Sequence, residues 1–257
     1  MSSMLSRTDN AGVATLTMER AQARNALSME LMTELLEVFK AISKDTTIKA
    51  VILRGAGPVF CAGHDLKEMR ANPGRDFMHA TFETCARLML AITRLRQPVI
   101  AEVHGIATAA GCQLVATCDL AICADDACFA TPGVNIGLFC STPMVALTRA
   151  VGRKAAMKML LTGDLIDAAE AVRIGLVNAA VPSSKLHESA AALAAQLAGK
   201  SGRVLAIGKE AFSRQIDMTL VEAYTYAGQV MTENMMLRDA AEGIDAFLEK
   251  RKPAWCD

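Results

Sequence analysis

The chain has 257 residues, with 27 Lys and Arg against 27 Asp and Glu, so its formal net charge is zero. This balance argues against a nucleic-acid surface, which needs clustered Lys and Arg, and 52% apolar residues exclude a disordered chain. Aromatic residues make up only 4%, so the core must be built from aliphatic side chains, methionines and small residues. The length allows one large domain or two small ones.

The spacing of apolar residues predicts strands that alternate with helices along the first two thirds of the chain. Segment 13–18 alternates like a half-buried strand, and Ser28 is predicted to cap a helix that runs to residue 44. A continuous apolar run predicts a buried strand at 49–54, and 99–103 is predicted to be another buried strand. Further predictions are helices from about 64 and over 77–95, a small-residue turn at 105–111, a helix at 112–117, and strands at 119–123, 128–131 and 176–181.

The last third is predicted to be mainly helical, with helices at 185–199, 203–215, 220–231 and 234–250. Strands that alternate with helices are typical of an α/β protein, and a helical tail after a sheet often covers it or mediates assembly. Residues 1–12 are polar and lack an apolar signal core, and no apolar run reaches the roughly 18 residues that span a bilayer. We therefore predict a cytoplasmic protein without a membrane span.

Most of the eight cysteines are predicted to be small buried side chains, which implies a reducing compartment. They form no C-x-x-C pair, and the four histidines are not spaced with them as zinc ligands. No metal site is predicted from these residues.

Two segments combine a strand, a tight turn and a helix start: Phe-Cys-Ala-Gly-His-Asp-Leu-Lys at 60–67 and His-Gly-Ile-Ala-Thr-Ala-Ala-Gly-Cys-Gln at 104–113. The first N–H groups of a helix have no internal partner and stabilise a carbonyl oxygen or a phosphate. Each segment alone is also typical of an ordinary tight turn or of close helix–sheet packing. Together, they can each direct one N–H group at a single oxygen, the geometry of an oxyanion hole for a thioester enolate.

An ordered set of motifs resembles the crotonase superfamily, the enoyl-CoA hydratase/isomerase family, over essentially the full chain. The segment 107–114 and the pair 131–135 and 137–143 are shared with one particular subgroup of that superfamily. The motifs that carry the resemblance lie at 20–27, 60–67, 98–105, 111–119, 130–137, 149–152, 161–164 and 246–253.

The resemblance implies a spiral of ββα units over residues 1–195, with a coenzyme A thioester site, and a helical assembly region over 196–257 that builds homotrimers or dimers of trimers. It implies acyl-CoA chemistry of the lyase or isomerase kind in fatty-acid metabolism, with no permanently bound cofactor and no nucleic-acid partner. The oxyanion N–H groups would belong to His64 and Ala110. Residues in contact with coenzyme A would be Gln22, Ala23, Arg24, Ala62, His64, Asp65, Leu66, Lys67 and Gly111, with Phe247 and Lys250 reaching the coenzyme A of a neighbouring subunit.

The sequence departs from the family at the two glutamates that act on water as general acid and base in hydratases. These positions correspond to Gln113 and Gly133, and neither residue can take a proton at neutral pH. Asn135 and Ser141 occupy places where some family isomerases carry acids. Losing one acid–base group typically removes roughly 10²–10⁴ in rate, so ordinary hydration is placed in doubt.

Other polar residues near these motifs have both a chemical and a structural interpretation. Cys140 offers a nucleophile but is more typical of a wall residue, and His64 is able to titrate near neutral pH but is expected to contribute its N–H, with its ring against solvent or coenzyme A. Asn135 is expected to satisfy a turn, and His104 to be structural. Glu102 lies in a buried strand whose alternation leaves its direction open.

Three hypotheses follow from the sequence. The first is an acyl-CoA enzyme of the hydratase/isomerase type with an atypical acid–base set. The second is a catalytically lapsed acyl-CoA binder or regulatory protein, motivated by Gln113 and Gly133. The third, nucleic-acid binding, is least favoured because the net charge is zero and no basic run is present.

Overall fold

The computed structural model describes residues 4–256 and places nine strands of this range in two sheets. The larger sheet has the order β1-β2-β3-β4-β6-β9 and is parallel except for the β1–β2 hairpin. The smaller sheet has the order β5-β7-β8. The strands are β1 (Leu5–Asn10), β2 (Val13–Met18), β3 (Ala50–Gly55), β4 (Val99–Val103), β5 (Ile106–Thr108), β6 (Leu120–Ala124), β7 (Cys128–Ala130), β8 (Ile166–Asp167) and β9 (Ala179–Val181).

The chain winds as a spiral in which successive turns add one strand to each sheet. After β4 in the larger sheet, β5 enters the smaller sheet, and the next turn repeats this with β6 and β7. Both β4–β6 and β5–β7 are parallel, as a repeated ββα unit requires. The predicted α/β spiral is confirmed.

Helices connect the strands in the core, and a series of helices forms the end of the chain. In the described range, short 3-10 helices also occur at Ala21–Ala23, Pro132–Ile136 and Ser183–Lys185. The α-helices are α1 (Met29–Lys44), α2 (Leu66–Ala71), α3 (Arg75–Arg94), α4 (Ala110–Thr117), α5 (Ser141–Ala150), α6 (Arg153–Thr162), α7 (Ala168–Ile174), α8 (Leu186–Ala198), α9 (Gly202–Gln215), α10 (Leu220–Met235) and α11 (Arg238–Leu248).

Three strands were missed by the sequence prediction: β1, β5 and the two-residue strand β8, which lies in the part predicted to be mainly helical. Residues 5–10 were treated as a polar N-terminus, but they form the edge strand β1 because Ala11 and Gly12, both with positive φ, close a two-residue hairpin. Residues 106–108 were treated as a turn, but they form β5. Its three residues are too few for a periodic signal, and pairing with β7 holds them extended.

Several helix boundaries also differ from the prediction. Helix α2 begins at Leu66 with Asp65 as its N-cap, and α4 begins at Ala110, two residues earlier than predicted. The tail contains α10 and α11, whose bounds replace the predicted 220–231 and 234–250. The Ser28 cap is confirmed, since its side chain accepts a hydrogen bond from the Leu31 N–H.

The larger sheet is buried on both faces. Val51 and Leu53 of β3 pack in the main core with α1 and α3, whereas Ala50 and Ile52 pack with Ala190 and Ala194 of α8 on the other face. Two-sided burial explains why β3 has a continuous apolar sequence. Helix α8 covers the sheet and extends to Ala198, so the helices of the tail begin after it. The division of the chain at 195/196 stays a prediction.

Candidate functional site

The two segments with small-residue turns are joined by backbone hydrogen bonds. The Cys61 N–H donates to the Ile106 carbonyl at 3.2 Å, and the Thr108 N–H donates to the Cys61 carbonyl at 3.0 Å. The Thr108 hydroxyl also donates to the Ala62 carbonyl at 3.2 Å. The structure therefore places both predicted turns side by side at the start of α2 and α4.

Two glycines make this close approach possible. A Cβ atom on Gly111 would lie 2.1 Å from the Cys61 carbonyl oxygen, inside any allowed contact. A Cβ atom on Gly63, whose φ is +98°, would lie 2.9 Å from the Ala109 Cβ and 3.4 Å from the Ala110 nitrogen. By standard bond lengths, the backbone nitrogens of His64 and Ala110 are then at most about 7 Å apart.

Both of these N–H groups are free of acceptors among the described residues 4–256. The neighbouring Asp65 and Ala62 N–H groups donate to the Leu27 and Arg24 carbonyls, but His64 and Ala110 donate to no carbonyl in that range. Ala110 is the first residue of α4, so its N–H has no intrahelical partner. Two donors without acceptors therefore lie at the junction of the turns.

The backbone before Ala110 is strained. Ala109 has φ +50° and ψ −117°, a region that residues with a Cβ rarely adopt, and such a conformation costs of order 1–3 kcal/mol. The Ala109 N–H is held by the Ala130 carbonyl at 2.9 Å. This strained residue fixes the direction of the Ala110 N–H.

The His64 ring is turned towards α3 rather than towards solvent, and the expected position against coenzyme A stays a prediction. It packs edge-on against Phe82 of α3, with ring centroids 5.5 Å apart, and its Nε2 is buried without a partner in the described chain. Burial lowers the pKa of His64 to about 4, so the imidazole is neutral at physiological pH. The low pKa argues against the alternative in which His64 titrates near neutral pH, and the expected contribution of its N–H stays a prediction.

Gln113 lies one helical turn beyond Ala110 and is buried. Its Oε1 accepts a weak hydrogen bond from the Cys85 thiol at 3.9 Å. Cys85 follows Phe82 by one turn on α3, so the Gln113 amide and the His64 ring approach the same face of that helix.

Gly133 is buried in the 3-10 helix at 132–136 and has no space for a side chain. A Cβ atom there would lie 2.9 Å from the Cys140 Sγ and 2.9 Å from the Leu138 carbonyl oxygen. Cys140 is 7% exposed and burial raises its pKa, so it is a wall residue and not an activated nucleophile. Burial similarly raises the pKa of the Cys61, Cys85 and Cys112 thiols to about 12.

Two other candidates are exposed in the chain. Asn135 lies inside the 132–136 helix rather than at a cap, and its side chain faces Gly163. Ser141, the first residue of α5, donates to the Phe139 carbonyl at 3.3 Å. The expected roles of Asn135 and Ser141 stay predictions.

The segments expected to bind coenzyme A border the first turn. The Arg24 carbonyl accepts the Ala62 N–H at 3.0 Å, which ties 22–24 to 62–64. Asp65 caps α2 by accepting from the N–H groups of Lys67 and Glu68. Partial burial would raise the pKa of Asp65, but its hydrogen bond from Arg20 at 2.9 Å and the helix N–H groups outweigh this and lower it.

The remaining predicted contact residues are on the surface. Gln22, Arg24, Leu66 and Lys67 are exposed, while Ala23 is half-buried. Phe247, 81% exposed, and Lys250 lie at the end of α11 in the helical tail.

Two residues outside the predicted set support the site. Arg20 anchors Asp65 and also donates to the Ala26 carbonyl, and Phe82 covers His64. Arg20 lies within a quoted motif, but nothing in the spacing of Phe82 signals its contact with a residue 18 positions earlier.

The other polar candidates have structural partners. The His104 ring contacts the Gly57 carbonyl at 2.8 Å. The Glu102 carboxylate lies 3.4 Å from His187 of α8 and 4.0 Å from Arg54 of β3. Among residues 4–256, no group of three His, Cys, Asp or Glu side chains is arranged to hold a metal, and no helix is long and apolar enough to cross a membrane.

Comparison with known proteins agrees with this fold. The sequence model described as Enoyl-CoA hydratase/isomerase matches residues 8–257. The chain therefore belongs to the enoyl-CoA hydratase/isomerase family.

The subgroup indicated by the shared motifs is enoyl-CoA hydratase domain-containing protein 3. The rat mitochondrial protein of that name is 46% identical, with 95% of this chain and 81% of the relative aligned. A crystal structure of the human protein superposes with a TM-score of 0.95 at 44% identity over 98% of this chain and all of that one. An enoyl-CoA hydratase structure from Mycobacterium smegmatis gives a TM-score of 0.96 at 50% identity, covering 99% of each chain.

The expected membership and fold are thereby confirmed. The cytoplasmic location stays a prediction, because the vertebrate relatives are named mitochondrial.

Proposed function

We propose that this chain binds acyl-CoA thioesters and stabilises a thioester enolate with the backbone N–H groups of His64 and Ala110. This proposal rests on the observation that these two N–H groups lack acceptors among residues 4–256 and lie at the junction of the two turns. A thioester oxygen between them would accept two hydrogen bonds that strengthen as negative charge develops. The assignment is an enzyme of the enoyl-CoA hydratase/isomerase type, with lyase or isomerase chemistry in fatty-acid metabolism.

Coenzyme A would lie along the surface that leads to this pair. Arg24 and Lys67 are exposed cations with no side-chain ion pair in the described chain, so they are available to phosphate groups. The proposed contact surface comprises Gln22, Ala23, Arg24, Ala62, His64, Asp65, Leu66, Lys67 and Gly111.

The helical tail supports assembly into trimers or dimers of trimers. Large apolar side chains are exposed along α10 and α11, beyond what a monomer usually leaves in water. In a trimer these faces would be covered, and Phe247 and Lys250 would extend towards the coenzyme A of a neighbour. The most exposed members are Leu220, Val221, Tyr224, Met236, Phe247 and Leu248.

A catalytically lapsed acyl-CoA binder is the second candidate. It is favoured by Gly133, where the Cys140 thiol and the Leu138 carbonyl occupy the direction of a side chain. Gln113 supplies an amide that binds water but takes no proton. Neither position supports the two-glutamate hydration of the family.

The proposed thioester site can be tested with acetoacetyl-CoA, whose enolate absorbs in the near ultraviolet. We expect binding to increase this absorbance in the wild type and the Gly63→Ala variant to lose most of the signal, because the new Cβ lies between the two turns. Gly74→Ala is the matched control, since nothing lies within 4 Å of its Cβ and its φ is −70°. Equal signals in both variants would refute the assignment of the two N–H groups.

Hydration of crotonyl-CoA distinguishes the enzyme from the lapsed binder. Turnover above the buffer rate in the wild type would exclude the binder. Tight binding of crotonyl-CoA with no turnover would exclude a hydratase and leave the binder or an isomerase, which a 3-enoyl-CoA substrate then separates.

A further inference from the structure

Formation of a thioester enolate needs a group that accepts the α-proton of the acyl group. Neither position where family hydratases carry a glutamate holds a carboxylate in this chain. Gln113 and Gly133 take no proton, and the four nearby thiols are held protonated by burial. Asn135 is exposed and uncharged, and Ser141 donates to the chain itself. Among the described residues of the two turn segments, Asp65 is paired with Arg20 and His104 contacts the Gly57 carbonyl, which leaves the imidazole of His64 as the base without a partner.

The direction of that imidazole points to the site rather than to the surface. The ring contacts Phe82, and Cys85, one turn later on α3, contacts the Gln113 amide. Residues three apart on a helix face the same way, with Cβ atoms about 5–6 Å apart. The imidazole therefore lies against the same face of α3 that contacts Gln113 of α4.

The His64 Nε2 is an unusual atom because it is buried and has no hydrogen-bond partner in the described chain. Buried polar atoms are almost always paired, and an exception calls for a ligand or a chemical role. Phe82, the side chain that packs against the ring, is itself 38% exposed, so it is not part of the buried core.

We propose that His64 acts twice, its N–H holding the thioester oxygen and its imidazole accepting the α-proton of the bound acyl group; this inference rests on the proposed function. The Cα–H bond breaks as an N–H bond forms at Nε2. The electron pair of the broken Cα–H bond forms the Cα–C double bond. The π electron pair of the thioester carbonyl moves to the oxygen that the N–H groups of His64 and Ala110 hold. The resulting imidazolium lies beside the enolate charge, which stabilises it, and it returns the proton to carbon.

The backbone position of the N–H gives a clean test. Replacing His64 by Ala or Gln removes the base but keeps the N–H, since every residue except proline carries one. The probe is butyryl-CoA in D₂O, with α-deuterium incorporation followed by mass spectrometry and the dissociation constant measured by calorimetry on the same samples. His79→Ala, at an exposed histidine on α3, is the matched control.

We expect the wild type and His79→Ala to exchange the α-proton. His64→Ala and His64→Gln should bind butyryl-CoA with a dissociation constant within about threefold of the wild type but lose exchange by roughly 10²–10⁴. A purely structural role would reduce binding and exchange together. Unchanged exchange in His64→Ala, or binding without exchange in the wild type, would overturn the inference while leaving the proposed function in place. A wild type that does not bind butyryl-CoA would remove both.

Discussion

The buried imidazole of His64 should make the folded chain less stable in mild acid. Its pKa is about 4 in the fold and 6.5 when unfolded, because burial disfavours the charged ring. Between these values the unfolded chain binds more protons than the folded one, so the free energy of unfolding falls as the pH falls. The loss begins near pH 6.5, amounts to about 2 kcal/mol between pH 7 and pH 5, and reaches about 3 kcal/mol below pH 4.

Urea unfolding at pH 7, 6 and 5 measures this contribution. The His64→Gln variant removes the titrating group, so it should lose about 2 kcal/mol less than the wild type over this interval. His79→Gln, on the exposed face of α3, should follow the wild type. If the wild type and His64→Gln lose stability in parallel, the imidazole is not buried in its neutral form, and the argument for a free Nε2 fails.

Three further predictions concern packing and charge. Gly133→Ala should destabilise the chain by about 1–3 kcal/mol in urea unfolding because its Cβ meets Cys140 and Leu138. The control Gly208→Ala, which has open space inside α9, should stabilise the chain by up to about 1 kcal/mol. An unchanged stability of Gly133→Ala would show that the 133–140 loop moves to accept the new side chain. Lys209→Met should cost about 3 kcal/mol in the same assay, since Lys209 is nearly buried and lies 2.6 Å from a carboxylate, and a loss below 1 kcal/mol would show that pair to be solvated. Lys67→Glu should weaken coenzyme A binding at low salt and less at high salt in calorimetry, and a salt-independent loss would place Lys67 away from the phosphates.

The fold was predictable where one segment carries its own signal. The strand β3 contains an apolar run because both sheet faces are covered, and the α1 cap is local to Ser28 and Leu31. The strands β1, β5 and β8 were missed because an edge strand stays polar and a strand of two or three residues depends on its partner. Local patterning therefore predicts elements that carry an apolar pattern of sufficient length and fails for short or polar strands that pairing alone defines.

The site was predictable to the same extent. The small-residue turns are visible in the sequence, and the glycines at 63 and 111 are explained by contacts between segments about fifty residues apart. The orientation of the His64 ring was not predictable, because it depends on where α3 places Phe82. A composition with few aromatic residues gives no hint that one of them covers a histidine.

The closure at Gly133 changes how the missing glutamate is understood. A single substitution to Glu would drive a side chain into the Leu138 carbonyl, which is backbone and moves only with the whole 133–140 loop. A smaller residue at 140 would relieve the contact with Sγ but not the contact with that carbonyl. A glutamate at 133 therefore requires a displacement of the 133–140 loop and not only a change of side chain. Restoring Glu at 113 and 133 together would then lower stability before it could restore hydration, so any acid–base chemistry of this chain has to come from side chains already present.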